Sequence, residues 1–351
     1  MPTEIRTSSG APNKPYASGL LALLVLGGLS GYYYLRKRFE PAPNQLTVSN
    51  LPALCTFEWL PEADALPIEP YAYLLVPVQL PGCPLTCYLQ FDTGAPSSML
   101  YAHSVAALRA AYPATESTLS EDNGGISDFS FQLGPATVAA AHIRLLQYGD
   151  EELPTNSAEP FIIGTLGADV LENRVLVLDY QQRQFYLLAQ LPAALAREAV
   201  FTPLRFPRRR VLLSTALLGQ QQELLFDSGS SAYALITSKK RWKAWARAKG
   251  NVEISTVNSW GHALTAYTAP TQACLQLEHI ALPLCSVTYI QGVKWWQYAL
   301  MRASGMGGML GNKPFRQHTI ILDAAGGRFG LIEQPNSAEV KSAEVLSAIT
   351  R

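Results

Sequence analysis

From about residue 70 to 333 the chain is built of short apolar runs broken by Gly, Pro and polar residues, and the runs come in pairs. Tyr73–Leu80 and Thr86–Phe91 flank Pro81-Gly82-Cys83-Pro84, the signature of two strands joined by a turn. Arg210–Leu218 and Gln222–Phe226 repeat that arrangement around Gly219. A helical spacing follows each pair, over Ala102–Ala111 and over Ser238–Lys249. Strand patterns outnumber helical ones, so the fold class is mostly β. One segment differs in kind. Tyr16–Leu35 carries no charge over 20 residues, and a helix of that length spans about 30 Å, the thickness of a bilayer core. Tyr32, Tyr33 and Tyr34 followed by Arg36, Lys37 and Arg38 give it an aromatic belt and a basic stop. That ending favours an uncleaved transmembrane helix over a signal peptide.

The paired runs belong to an internal repeat. Tyr88–Gly94 (YLQFDTG) matches Glu223–Gly229 (ELLFDSG) at an offset of 135 residues. Gly164-Thr165-Leu166-Gly167 and the later Val177-Leu178-Asp179 match Gly308-Met309-Leu310-Gly311 and Ile321-Leu322-Asp323 at an offset of 144. The second half therefore holds nine more residues between its landmarks. The chain divides into a tail (1–15), a transmembrane helix (16–35), a basic flank and proline-rich linker with a first strand (36–70), two homologous lobes (71–198 and 199–333) and a second tail (334–351).

Composition narrows the function. Of 351 residues 48% are apolar and 15% charged, with 27 basic residues against 27 acidic, which excludes a disordered chain and a globally basic nucleic-acid binder. Residues 1–40 hold five basic and two acidic residues, leaving a body of 22 basic and 25 acidic residues, or −3. Five cysteines are too few for a disulfide scaffold. Cys83 with Cys87 and Cys274 with Cys285 could each bridge a hairpin or stay as buried thiols, and Cys55 has no evident partner.

The chemistry lies in Asp92-Thr93-Gly94 and Asp227-Ser228-Gly229. A carboxylate at the end of a buried apolar strand is costly unless it is paired or hydrogen-bonded. If a pseudo-twofold axis brings two such carboxylates together, both cannot ionise cheaply, and one keeps a proton while the other stays charged. Two identical side chains then act as acid and base: the charged one activates water, the protonated one supports the oxyanion and the leaving nitrogen. Gly94 and Gly229 leave room for substrate, and the Thr93 and Ser228 hydroxyls are placed to hold the two loops together.

On these residues the chain resembles the aspartic proteases, both the bilobal pepsin-like and the dimeric retropepsin-like families, over roughly residues 70–333. Their paired aspartates are a standard case of split titration. Asp92-Thr93-Gly94-Ala95 looks like the retropepsin form, and Asp227-Ser228-Gly229-Ser230-Ser231 like the second pepsin motif. The resemblance implies a bilobal pepsin-like acid protease fold of two β-barrel-like lobes, with catalytic Asp92 and Asp227 in one monomeric active site. It implies loop support from Thr93, Gly94, Ser228 and Gly229, brace turns at Leu166-Gly167 and Leu310-Gly311, an extended peptide or protein substrate, and no cofactor. Two features depart from pepsin-like enzymes. No tyrosine lies between Tyr112 and Tyr148 to cap a flap, and the disulfides of the secreted members have no clear counterpart. The turn at Asn123, Gly124 and Gly125, and its counterpart around Trp260 and Gly261, are the flap candidates. The rival reading is a catalytically inactive module of the same fold that holds extended peptides by strand pairing.

Other constellations fail. The five histidines form no HExxH and no close cysteine pair, so no metal site is expected. Gly305–Lys313 lacks the spacing of a phosphate loop, and Gly229-Ser230-Ser231-Ala232 lacks the closing glycine of a nucleophile elbow. Ten of the body's basic residues fall in two runs, Arg205–Arg210 and Lys239–Lys249, the second with Trp242 and Trp245. Such a run suits either anionic headgroups beside the anchor or a solvated helix face. Charges flanking the span lean toward a cytoplasmic body, and Gly27 with Gly31 offers a helix-pairing face for a membrane dimer.

Overall fold

The computed structural model describes residues 41–62, 68–156, 159–248, 250–259, 262–292 and 306–333. The expected transmembrane helix and its glycine pair lie outside them. Among the described residues no helix is long and apolar enough to cross a membrane.

Strands dominate, as the paired apolar runs require. The first half contains β1 (Leu46–Ser49), β2 (Ala53–Thr56), β3 (Glu58–Glu62), β4 (Glu69–Val78), β5 (Cys87–Asp92) and β6 (Met99–Tyr101). It continues with β7 (Glu121–Asp122), β8 (Gly125–Leu133), β9 (Ala136–Leu146), β10 (Phe161–Gly167), β11 (Val175–Asp179) and β12 (Gln184–Leu188). The second half contains β13 (Val200–Arg205), β14 (Leu212–Leu217), β15 (Gln220–Phe226), β16 (Leu235–Ile236), β17 (Glu253–Ser259) and β18 (His262–Pro270). It ends with β19 (Cys274–Leu277), β20 (Ile280–Pro283), β21 (Ser286–Gln291), β22 (Met306–Leu310), β23 (His318–Asp323) and β24 (Arg328–Glu333). The α-helices are α1 (Ala102–Ala111), α2 (Ala193–Glu198) and α3 (Lys239–Trp245). Four strands thus begin inside the stretch read as linker, the fourth, β4, at its end. The second helical pattern stops four residues early, because Ala246 turns extended and bridges to Thr271.

The repeat is written into the sheet topology. In the first half β5 runs parallel to β10, β10 antiparallel to β6, β6 parallel to β9, and β9 antiparallel to β8, which carries β7 at the edge. In the second half β15, β22, β16, β21, β18 and β17 follow each other in the same senses. The nine extra residues can now be located. Gly94 precedes the turn residue Gly134 by 40 positions and Gly229 precedes Glu278 by 49, after which both halves take 33 to reach Gly167 and Gly311. The added length is spent on the long hairpin β17–β18, whose first strand pairs over seven residues where β7 pairs over two.

The halves share one ladder of six strands, β13-β24-β23-β11-β12-β2. At its centre β11 and β23, the strands that follow the two Leu-Gly turns, lie antiparallel with Val177 opposite Ile321. Their residues are buried on both faces, which is why these strands read as unbroken apolar runs and not as alternations. A large cluster built around Phe91, Phe226, Phe315 and Phe329 fills the space beside this ladder.

Candidate active site

Asp92 and Asp227 are delivered by equivalent strands. Phe91 and Phe226, the residues just before them, are wholly buried and fix the ends of β5 and β15. The parallel neighbour β10 sets Leu166 opposite Phe91 and Gly167 opposite Asp92. Likewise Leu310 of β22 lies opposite Phe226, and its carbonyl accepts the Asp227 N–H at 2.8 Å. Beyond each aspartate the chain turns back on the carboxylate. The Gly94 N–H donates to Asp92 Oδ1 at 2.8 Å and the Gly229 N–H to Asp227 Oδ1 at 2.9 Å.

Each glycine then faces the other half's acid. A Cβ on Gly94 would sit 2.6 Å from Asp227 Oδ1, and one on Gly229 would sit 2.5 Å from Asp92 Oδ1. Only glycine leaves that space, and through it the two carboxyl groups reach each other in a hydrogen bond. Four further hydrogen bonds lock the loops together beneath them. Thr93 Oγ1 donates to Phe226 O at 2.8 Å and accepts from the Ser228 N–H at 3.0 Å. Ser228 Oγ donates to Phe91 O at 3.0 Å and accepts from the Thr93 N–H at 2.9 Å. Both hydroxyls are buried, so each satisfies two backbone groups that have been taken out of water.

The electrostatics follow from this geometry. Burial raises both carboxyls above the ordinary aspartate range, and Asp227, the more deeply enclosed, is raised further by the charge of Asp92 and the hydrogen bond to it. The pair therefore retains a proton where isolated aspartates would have lost it. Polar support is unequal. Ser230 Oγ donates to Asp227 Oδ2 at 3.0 Å, whereas the corresponding residue after the first triad is Ala95, with no hydroxyl.

The Leu-Gly turns press against the backs of these loops. A Cβ on Gly167 would lie 2.6 Å from the Ser97 carbonyl carbon, and one on Gly311 would collide with the Ser230 and Tyr233 carbonyl oxygens. Several supporting residues escaped the reading of the sequence. Asp169 receives the Ser98 N–H and hydroxyl, both at 2.7 Å, and Ser98 Oγ in turn accepts the Gly167 N–H at 2.9 Å. Burial pushes the Asp169 carboxyl up, against those bonds and the nearby Arg209 charge. Arg209 reaches from the second half to Pro96 O at 3.3 Å and Ser97 Oγ at 3.0 Å. In the second half Asn312 donates to Ser228 O and Ser231 Oγ, while Tyr180 donates to Asn312 Oδ1 at 2.8 Å. The one available signal was position: Asn312 directly follows its Leu-Gly turn and Asp169 comes two residues after the other.

The flap candidates divide. Asn123 and Gly124 form the positive-φ turn of the two-residue hairpin β7–β8. Gly124 O accepts the Leu145 N–H at 3.1 Å, and Gly125 lies against the His142 ring, so this turn is stitched to β9. Trp260 and Gly261 lie outside the described residues, between β17 and β18. The basic runs are absorbed only in part: Arg209 is buried, the exposed Arg205 pairs with Glu223 at 2.7 Å, and Trp242 packs edge-on against Tyr289 at 5.2 Å. Lys239, Lys240, Lys243 and Arg247 remain exposed. An open cavity of about 460 Å³ is lined by Asp150, Glu151, Glu152, Pro154, Glu159, Pro160 and Phe161, and neither dyad residue borders it. Among the described residues no group of three or more His, Cys, Asp and Glu side chains is arranged to hold a metal ion.

No protein-family model matches the chain, and no curated protein matches it. Among solved structures it is similar to the aspartic proteinase from Irpex lacteus. The identity is 14% and the TM-score 0.43, over 84% of this chain and 99% of that one.

Proposed function

We propose that this chain is an aspartic endopeptidase, tethered by its N-terminal apolar segment to a membrane, that hydrolyses peptide bonds with water activated by Asp92 and Asp227. The observation that carries the reading is the pair of hydrogen-bonded carboxyl groups, each facing the other half's glycine across four reciprocal loop contacts. Holding one proton between them, the pair supplies base and acid together. The ionised carboxylate takes a proton from a water as it attacks the peptide carbonyl. The protonated one donates to the carbonyl oxygen and later passes a proton to the departing nitrogen. Substrate is an extended peptide held by strand pairing. Lys240, Lys243 and Arg247 stand ready to meet anionic headgroups beside the anchor.

The test is cleavage of a peptide library by the full-length protein across acidic and neutral pH, alongside Asp92→Asn and Asp227→Asn. Each variant is expected to lose at least about 10³-fold in kcat/KM, as members of one catalytic unit do. Equal cleavage by all three proteins would refute the dyad. Peptide binding without cleavage by the wild type would favour the inactive module. Deleting Tyr16–Leu35 should release the protein from vesicles that withstand alkaline washing.

A further inference from the structure

Two of the five cysteines are brought together at the start of the strand that delivers Asp92. The turn between β4 and β5 is sharply defined. Pro81 and Gly82 occupy its corner, Gly82 has φ +76°, and the Cys83 N–H donates to Leu80 O at 3.1 Å. A side chain at Gly82 would meet Ala114 O at 2.5 Å, so the turn is seated against the segment after α1. The chain then returns through Pro84 to Cys87, which pairs with Val78 on one side and Phe161 on the other. Both thiols converge on one acceptor: Cys83 Sγ lies 3.5 Å and Cys87 Sγ 3.8 Å from Leu85 O. The remaining cysteines are arranged differently. Cys274 lies opposite Pro283, with its sulfur on Gln272 O, while Cys285 is exposed and Cys55 sits on β2 opposite Phe185.

We propose that Cys83 and Cys87 form a redox-modification site, a dithiol that closes to a disulfide within the hairpin by exchange with a small-molecule disulfide such as oxidised glutathione. Cys83, the less enclosed at 8% exposure, attacks first as its thiolate. A bond forms from its sulfur to one glutathione sulfur, and the second glutathione leaves as a thiolate that takes up the displaced proton. Cys87 then gives up its thiol proton, attacks the mixed disulfide at Cys83 and expels the glutathione bonded there as a thiolate that takes up that proton. Two protein thiols are thereby oxidised by two electrons, and one glutathione disulfide is reduced to two thiols. Cys87 is fully buried, and both burial and its neighbour thiol push it well above the ordinary thiol range. The second step is therefore slow in the folded chain and fast while the hairpin is forming. The closed loop spans only Cys83–Cys87 and clamps the entry to β5, five residues before Asp92. The inference stands on the hairpin alone and is independent of the peptidase reading.

The experiment uses the full-length protein, refolded from urea in glutathione buffers of increasing oxidised fraction, then acid-quenched, alkylated and mapped by mass. Wild type is expected to fall from five alkylated cysteines to three, with a mass loss of about 2 Da confined to a fragment joining Cys83 and Cys87. Cys83→Ser and Cys87→Ser should each keep all four remaining thiols. Oxidation should raise the thermal midpoint of the wild type and leave that of either variant unchanged. Exchange that is slow on the folded protein but complete on refolding also fits the burial of Cys87. Five free thiols at the most oxidising ratio, or a disulfide to Cys55, Cys274 or Cys285, would overturn the proposal.

Discussion

Replacing Thr93 with Val keeps the shape of a buried side chain and removes one oxygen. That oxygen carries two of the four bonds between the aspartate loops, as donor to Phe226 O at 2.8 Å and acceptor from the Ser228 N–H at 3.0 Å. Thr93 is 1% exposed and Ser228 fully buried, so water has no ready route to the orphaned carbonyl and amide. Leaving a buried polar group unpaired costs about 1–3 kcal/mol, so two orphans cost about 2–6 kcal/mol. The added methyl returns about 1 kcal/mol of transfer energy, leaving a net loss near 3 kcal/mol. That is a large part of the roughly 5–15 kcal/mol by which folded domains are stable.

Ser228→Ala orphans a different pair, the Thr93 N–H and Phe91 O, and should cost a similar amount. The two substitutions share no hydrogen bond, so their effects should add in the double variant to within about 1 kcal/mol, although the residues touch. Equilibrium urea unfolding of the full-length protein gives these values, provided the slope of the transition is unchanged. A Thr93→Val midpoint equal to that of the wild type would refute the account of the loops as mutually satisfied.

Three other outcomes follow from the site. Asp227→Asn should raise stability near pH 7 and lose that advantage near pH 3, because a carboxyl raised by burial favours folding below its unfolded pKa and loses that contribution as pH rises through the folded value; thermal unfolding at both pH values checks the sign, and a variant less stable at pH 7 would contradict it. Ser230→Ala removes the hydroxyl that favours the charged form of Asp227, the member that keeps the proton, so the alkaline limb of the kcat/KM profile should move to higher pH, while Ala95→Ser, beside Asp92, should move the acidic limb lower. Gly94→Ala puts a methyl 2.6 Å from Asp227 Oδ1 and should cut kcat by about 10²-fold with little change in the far-ultraviolet circular dichroism spectrum; unaltered turnover would mean that the carboxyls do not need their present spacing.

What the sequence disclosed and what it withheld have a common cause. The strands, the mostly β class and the internal repeat were legible because each rests on short-range pattern, and a pattern that occurs twice is hard to produce by chance. Even the nine extra residues were countable from landmarks, though only the pairing of β17 with β18 shows where they are spent. The third dimension adds contacts whose partners are distant in the chain. Arg209 sits in a run of arginines that reads as solvated charge, yet it is 7% exposed and reaches Pro96 O and Ser97 Oγ, 113 and 112 residues away. Its neighbours Arg205 and Arg208 are the same residue type, and nothing local separates them: Arg208 and Arg209 even share a positive φ, yet of the three only Arg209 is buried. Asn312 is similar: it looks like the end of a glycine-rich loop, and only the fold places Ser228, Ser231 and Tyr180 around its amide. Such residues are positioned by the packing of two halves against one another. Repeat arithmetic cannot find them, because the two halves solve the same support problem differently: Ser98 and Asp169 carry it in the first, Asn312 and Ser231 in the second. Symmetry is kept where both halves must present the same group to a shared centre, and it is relaxed one layer behind, where each loop needs only to be held still.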